Sequence, residues 1–257
     1  MCNLKYWLWF SRIEKLGPKL KKNLLEKYKT PEIICKLTKS ELVIVNKVTE
    51  TIADDILDVK YKKNLDKYEE YLFENKIEVI NIYDKDYPPK LKEIYDPPVT
   101  LFVKGNKNII NDYGMAIVGC RNCSDYGKYV AIKFAYDLGH NNINVISGLA
   151  KGIDTFAHIG ALSAKGKTIA VVGGGLDTVY PKENTEVFNK IVDLGGLVIS
   201  EYVIGTKPIS KNFPQRNRII SGLSDGIIVV EAKEKSGTLI TVDFRIRTWK
   251  RHLCSSR

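Results

Sequence analysis

Several short segments of this chain combine glycine, hydroxyl and basic side chains in a way suited to holding anions. They are Gly119-Cys120-Arg121, Ser147-Gly148-Leu149-Ala150-Lys151-Gly152, and Gly173-Gly174-Gly175 running on to Tyr180-Pro181-Lys182. Ser200-Glu201, leading through Lys211 to Phe213-Pro214-Gln215-Arg216-Asn217-Arg218, and Lys235-Ser236-Gly237-Thr238 complete the set. Glycine lets backbone approach an anion closely, and a helix starting there points N–H groups at it. Arg121, Lys151, Lys182, Lys211, Arg216 and Arg218 add charge that neutralises phosphates. Any one of these loops is adequately explained as a tight turn. Five on one rim suit a polyphosphate backbone better than a single nucleotide. Gly119, Ser147, Gly148, Ser236 and Gly237 join the basic residues and Phe213 as the candidate binding set.

The elements between these segments place them together. Apolar runs at Met115–Val118, Asn144–Ile146, Thr168–Val172, Leu197–Ile199 and Gly226–Val230 alternate with helical patterns at Gly127–Gly139, Ile153–Ala164, Asn184–Leu194 and Arg216–Leu223. Short continuous Val/Ile runs are what strands covered on both faces look like. Repeated β-α-β units predict a Rossmann-like, doubly wound, mostly parallel sheet, with ligands beyond the carboxyl ends of its strands. The candidate residues stand just after those runs.

The first part of the chain is of another kind. Ser11 to Tyr28 carries a helical apolar stripe broken at Gly17-Pro18, and Thr30-Pro31 has the form of an N-cap followed by proline at the first helical position. Asp54 to Phe73 continues the helical pattern. Gly17-Pro18 with Lys19, Lys21 and Lys22 fits either a helix-hairpin-helix facing phosphate or a plain helical bundle with solvated lysines. Strands are expected at Val79–Ile82 and Thr100–Val103, around the prolines at 88, 89, 97 and 98. The expected organisation is a helical domain at 1–76, a Pro-rich extension at 77–112, the α/β core at 113–244 and a divergent tail at 245–257.

The 257 residues carry 40 Lys+Arg against 30 Asp+Glu, a net charge of +10, with 44% hydrophobic content. This is the balance of a folded domain, not of a disordered chain. The excess is uneven: Arg245, Arg247, Lys250, Arg251 and Arg257 place five basic residues in the last thirteen. Tyr6–Phe10 is too short an apolar run for a membrane span, and five cysteines without a paired framework fit a reducing cytoplasm. Gly160 to Thr168 has the wrong spacing and element order for a phosphate-binding P-loop, and Gly173-Gly174-Gly175 lacks the dinucleotide fingerprint. Cys120 and Cys123 form a single C-x-x-C without the second pair of a zinc site. His158 has no nucleophile or carboxylate pattern around it. The expected site binds and does not react, without metal or cofactor.

The strings "YPPKLKEIYDPPVTLFVKG", "AIVGCRNCSDYG", "VISGLAKGIDTFAH", "TIAVVGGGLDTVYPKEN", "LVISEY", "FPQRNRIISGLS" and "VVEAKEKSGTLIT" closely resemble the DNA-processing protein A (DprA/Smf) family, a resemblance that covers Tyr87 to Phe244. The first 80 residues are similar, more weakly, to the helix-hairpin-helix or SAM-like segment of longer members. The resemblance implies binding of single-stranded DNA, loading of a RecA-type recombinase during natural transformation, homodimerisation through the Rossmann-like domain, and no established catalytic role. It implies that Arg121, Lys182 and the Lys211 region line the DNA pocket, that Asn184 belongs to it through the Y-P-K-x-N string, and that Arg216-Asn217-Arg218 supports or completes it. Cys120 replaces the usual Ser or Thr and removes one hydroxyl from the loop. Bases bound there need aromatic surfaces, for which Phe213 and Tyr180 are candidates, although each fits a core position equally well.

The resemblance stops at the tail. "RIRTWKRHLCSSR" stands where the family continues with a helix and a strand ending in a "VYAVPG"-like string. One choice of codons for Trp249 to Arg257, read with its first base dropped, gives Gly-Lys-Asp-Ile-Tyr-Ala-Val-Pro, which suggests a shifted reading frame and a missing C-terminal strand. The alternative function is a nucleotide phosphoribohydrolase of the lysine-decarboxylase-like Rossmann group. Its G-G-x-G-T-x-x-E loop requires a glutamate where this chain has Thr241.

Overall fold

The computed structural model describes residues 4–232 and the backbone of the strand His252–Cys254. Ser236, Gly237 and the rest of the 245–257 tail lie outside the described residues.

Six helices come first: α1 (Leu4–Arg12), α2 (Pro18–Tyr28), α3 (Pro31–Ile34), α4 (Lys39–Val43), α5 (Glu50–Leu57) and α6 (Leu65–Glu74). The starts of α3, α4 and α5 are written in the sequence. Thr30 accepts from the Ile33 N–H with Pro31 beside it, Thr38 and Glu41 form a reciprocal capping box, and Thr49 accepts from the Ile52 N–H. The pattern from Asp54 to Phe73 is not one helix. Asp58 leaves helical geometry and caps a short 3-10 turn at Val59–Lys62, and Asn64 adopts a left-handed conformation at φ 60°.

β1 (Ile77–Asn81), α7 (Pro89–Lys92) and β2 (Thr100–Gly105) follow, then β3 (Gly114–Gly119), α8 (Asp125–His140), β4 (Asn144–Ser147), α9 (Ile153–Ser163), β5 (Thr168–Val171), α10 (Thr185–Asp193), β6 (Leu197–Ser200), α11 (Asn212–Leu223), β7 (Gly226–Val230) and β8 (His252–Cys254). One sheet runs in the order β1-β2-β6-β5-β4-β3-β7-β8. Neighbours from β6 to β8 are parallel, whereas β2 pairs antiparallel with β6 and β1 with β2. The Pro-rich stretch thus supplies two strands to the sheet. The β7 edge, expected to lack a strand, carries β8 with Ile227 opposite His252 and Val229 opposite Cys254. The buried apolar β7 presents a row of backbone groups at this edge, and β8 pairs with Ile227, Ile228 and Val229 of it.

Strand residues alternate between the two faces, as the pleat requires. Ile117, Val145 and Ile228 pack with α8 and α9, whereas Ala116, Val118, Ile146, Ile169, Ile227 and Val229 belong to the opposite core. That second core includes Ile219, Ile220 and Leu223 of α11 and also Trp7, Trp9, Phe10, Leu24 and Leu25 of the first helices. The helical part and the α/β part therefore share one apolar cluster. Strand order reverses at β3, so the chain passes β3-β4-β5-β6 on one side and returns to β7 on the other, which directs ligands to the carboxyl ends near β3.

Candidate functional site

A shallow pocket of about 60 Å³ opens at those carboxyl ends, lined among others by Arg121, Gly148, Lys151, Gly173, Tyr180, Phe213 and Arg216. Its floor is set by α11. Arg216 is only 3% exposed, and its Nη1 donates to the carbonyls of Gly148 and Val171, just past β4 and at the end of β5. Its Nε donates to Asn217 Oδ1 at 3.1 Å. A guanidinium held this way ties the helix to two strands at once, and it stays charged although burial pulls its pKa down against the pull of Asp154. The Asp154 carboxylate, buried behind the floor, has its pKa raised by burial and restrained by Arg216.

Gly148 lies where a side chain would collide with Arg216 and Asp154, and Gly152 turns the loop at φ 79° against the carbonyls of Cys120 and Arg121. The Gly148 N–H donates inward to Asp154 Oδ2 at 3.1 Å. This N–H therefore serves the fold and not an anion, a departure from the simple expectation for a glycine loop leading into a helix. Asn184 is buried and donates to the Leu149 carbonyl at 2.9 Å and to Thr155 Oγ1 at 2.8 Å, pinning the same loop from outside. Ser147 is fully buried and donates to the Ile117 carbonyl at 2.7 Å. At Gly119 a Cβ would run into the Val230 carbonyl and Ile153, so this glycine permits close strand and helix packing.

The outer wall is aromatic and cationic. Phe213 rests over Gly173, whose missing side chain makes room for the ring. Tyr180, 50% exposed, stacks on Phe213 with centroids 5.7 Å apart and planes 24° from parallel. The Arg121 guanidinium lies 5.2 Å from the Phe213 centroid. A cation over an aromatic face is attracted by the ring quadrupole while its edges remain free for a phosphate. The Tyr180-Pro181 peptide is cis.

The candidate residues separate into three groups. Arg121, Phe213, Lys151 and Gly148 meet at the pocket. Lys182 and Lys211 are exposed nearby, though neither lines it; Lys151 is paired with Glu183 at 2.7 Å. Arg218 is not at the surface at all: it is 2% exposed, paired with Glu201 and 3.2 Å from Asp96. Two positions apart on a helix are about 200° apart in direction, so Arg216 and Arg218 point into different interiors. Asp154 was missed as a partner because a helix-start aspartate has no distinctive spacing. Pro208 was missed because it stands eight residues past the end of β6, beyond the turn that directly follows the strand. His158 is fully buried, bonds through Nδ1 to Thr168 Oγ1 at 2.8 Å, and has its pKa held to about 3 by burial and by the nearby Arg216 charge. Among the described residues, no group of three or more His, Cys, Asp or Glu is placed to hold a metal ion, and no helix is long and apolar enough to cross a membrane.

Comparison with known proteins gives this geometry its context. The DNA processing protein DprA of Streptococcus pneumoniae is 44% identical over 204 residues, covering 76% of this chain and 72% of that protein. Its crystal structure superposes with a TM-score of 0.81 at 36% identity, covering 99% of this chain and 87% of that one. DNA processing protein A of Helicobacter pylori, whose structure was described for its single-stranded DNA binding mode, superposes with a TM-score of 0.65 at 29% identity over 71% of this chain and 82% of its own. The sequence pattern of the DNA recombination-mediator protein A family matches residues 78–254, which span the whole sheet except the first residue of β1. On this match and this fold, the chain belongs to the DNA recombination-mediator protein A family.

Proposed function

We propose that this protein binds single-stranded DNA at the Arg121–Phe213–Tyr180 pocket and acts in DNA processing and recombination by presenting the strand to a RecA-type recombinase. The observation that carries this reading is the arrangement of one exposed arginine on a two-ring aromatic stack above the glycine-rich strand ends. Single-strand binders combine cationic grooves with aromatic platforms because every base has a π-face and every nucleotide a phosphate. Arg121 takes a phosphate, Tyr180 offers its exposed ring to a base, and Lys182 and Lys211 extend the field. Arg216 and Asn184 hold the floor in shape without touching the strand, and Arg218 braces α11.

In this reading the protein works by binding and not by catalysis, in the cytoplasm and as a homodimer that extends the DNA track across two subunits. Residues 113–244 form the DNA-binding core, 77–112 its extension and 1–76 a helical accessory domain. The test is fluorescence anisotropy with single-stranded and duplex oligonucleotides across a salt series. Preference for the single strand, with an affinity that falls steeply with salt, is expected. Equal affinity for duplex, or release of ribose phosphate from nucleoside monophosphates, would overturn it.

A further inference from the structure

A second, larger cavity of about 810 Å³ separates the first helices from the β6–α11 loop. The two cavities share a wall. Pro208, Phe213 and Arg216 line the pocket, whereas Lys207, Ile209, Lys211 and Gln215 of the same segment line the cleft. Across from them stand Arg12, Lys21 and Tyr68 of α1, α2 and α6.

The cleft is cationic for a structural reason. Arg12 Nη1 donates to the carbonyls of Tyr61 and Lys63 at 3.0 and 2.7 Å, and Lys21 Nζ donates to the Ser11 carbonyl at 2.8 Å. Carbonyls orient both groups without adding an opposing charge; burial lowers the Lys21 pKa to about 8, so it is still mostly protonated at neutral pH. Lys207 and Lys211 are exposed, and no described residue pairs with either as an acid. Of the two lining glutamates, Glu201 is already paired with Arg218, leaving Glu14 in opposition. Half-buried Tyr68 and Tyr202 add aromatic faces, with the Arg12 guanidinium 4.5 Å from the Tyr68 centroid. The pocket alone has room for a phosphate or the edge of a base, not for a chain.

We propose that single-stranded DNA leaving the Arg121–Phe213 pocket crosses Lys207 and Lys211 and continues in this cleft, so that the helical part is a second half of the DNA site. The proposal rests on the pocket being the first half. Because one segment walls both cavities and the two parts share a core, the track is built into the folded chain.

The test compares oligothymidylates of about 6 and about 20 nucleotides, lengths that bracket a single-strand site, on the whole chain by anisotropy. Lys207→Ser is expected to weaken the longer oligonucleotide about three- to tenfold and to reduce its salt slope by about 0.7, the value of one phosphate on a single strand. Affinity for the shorter one should stay within about twofold. No change with the longer oligonucleotide, or an equal loss with both, would overturn the cleft and leave it to an acidic polypeptide. Arg121→Ala is read separately: unchanged affinity for the shorter oligonucleotide removes the pocket and not the cleft. A photoreactive thymidine at the distal end gives a second readout. Cross-links to Tyr68 or Tyr202 support the track, and cross-links confined to Tyr180 and Phe213 overturn it.

Discussion

The helical part and the strand-end rim are both rich in basic residues, and they use them differently. In the helices, Lys36 meets Glu32 at 2.8 Å, Lys39 meets Asp54 at 2.9 Å, Lys60 meets Asp58 at 3.0 Å, and Lys5 meets Asp66. Arg121 and Lys182 at the rim, and Lys207 and Lys211 on the cleft wall beside it, have no acidic partner among the described residues, with Lys151 and Glu183 at the rim as the exception. A paired surface lysine has a weak field beyond its own partner, and its pair adds little to stability. An unpaired one beside a low-dielectric pocket wall attracts anions from solution. Thus a count of basic residues says little about binding, whereas their pairing says much. The net charge of +10 overstates the helical lysines and understates a few rim residues.

The strongest way to break this comparison is to remove a charge that is buried and not displayed. Arg216→Met leaves two carbonyls without their donor and Asp154 without its counter-charge, with an expected loss of about 3–5 kcal/mol in urea denaturation. Asp154→Asn in the same chain should restore part of it. A smaller loss under the same conditions would mean that Arg216 sits on the floor without holding it.

Next in size is the acid response of His158. Its pKa of about 3 in the folded chain lies below the 6.5 of a free imidazole, so the unfolded chain binds the extra proton between these values. The stability it contributes is complete above pH 6.5 and is lost as pH falls toward 3, by at most ~1.4 kcal/mol per pH unit. Denaturation of the parent and of His158→Gln across that window should differ in slope, and parallel curves would remove the effect.

Displayed groups come next. Arg121→Ala should weaken single-strand binding by about tenfold or more through loss of a charge-assisted contact, with stability nearly unchanged. Tyr180→Ala should cost about 1 kcal/mol of the same affinity, the lower end for one stacked base, measured by anisotropy. Lys36→Ala, from a paired helical lysine, should change neither affinity nor melting temperature. If it weakens DNA binding as Arg121→Ala does, the distinction between paired and displayed charge fails.

Much of the sheet was legible because its central strands are buried on both faces and so appear as unbroken apolar runs, Ile117-Val118 and Ile227-Ile228-Val229-Val230 among them. β1 and β2 were less so: Ile77-Glu78-Val79-Ile80-Asn81 is mixed because it lies at an edge, and the surrounding prolines suggest a connector. The break at Asp58 and Asn64 was hidden because both residues are acceptable inside a helical pattern until their side chain or backbone conformation is known. At the site, residue types were readable and directions were not. Arg216, Asn217 and Arg218 spell a basic, polar string, yet α11 is enclosed on both sides and turns both arginines inward. The stacking of Phe213 with Tyr180 depends on two segments over thirty residues apart in sequence, which no local spacing encodes.

The seat of Arg216 also limits how this site can be moved or copied. Arg121, Tyr180 and Lys182 stand on loops that could be grafted onto another doubly wound sheet, and their charges and rings would travel with them. The carbonyls that receive Arg216 would not, because they belong to the ends of two adjacent strands in one particular register. A transplanted loop set would carry the chemistry of the rim but not its floor, so a working copy has to bring β4, β5 and α11 as a unit.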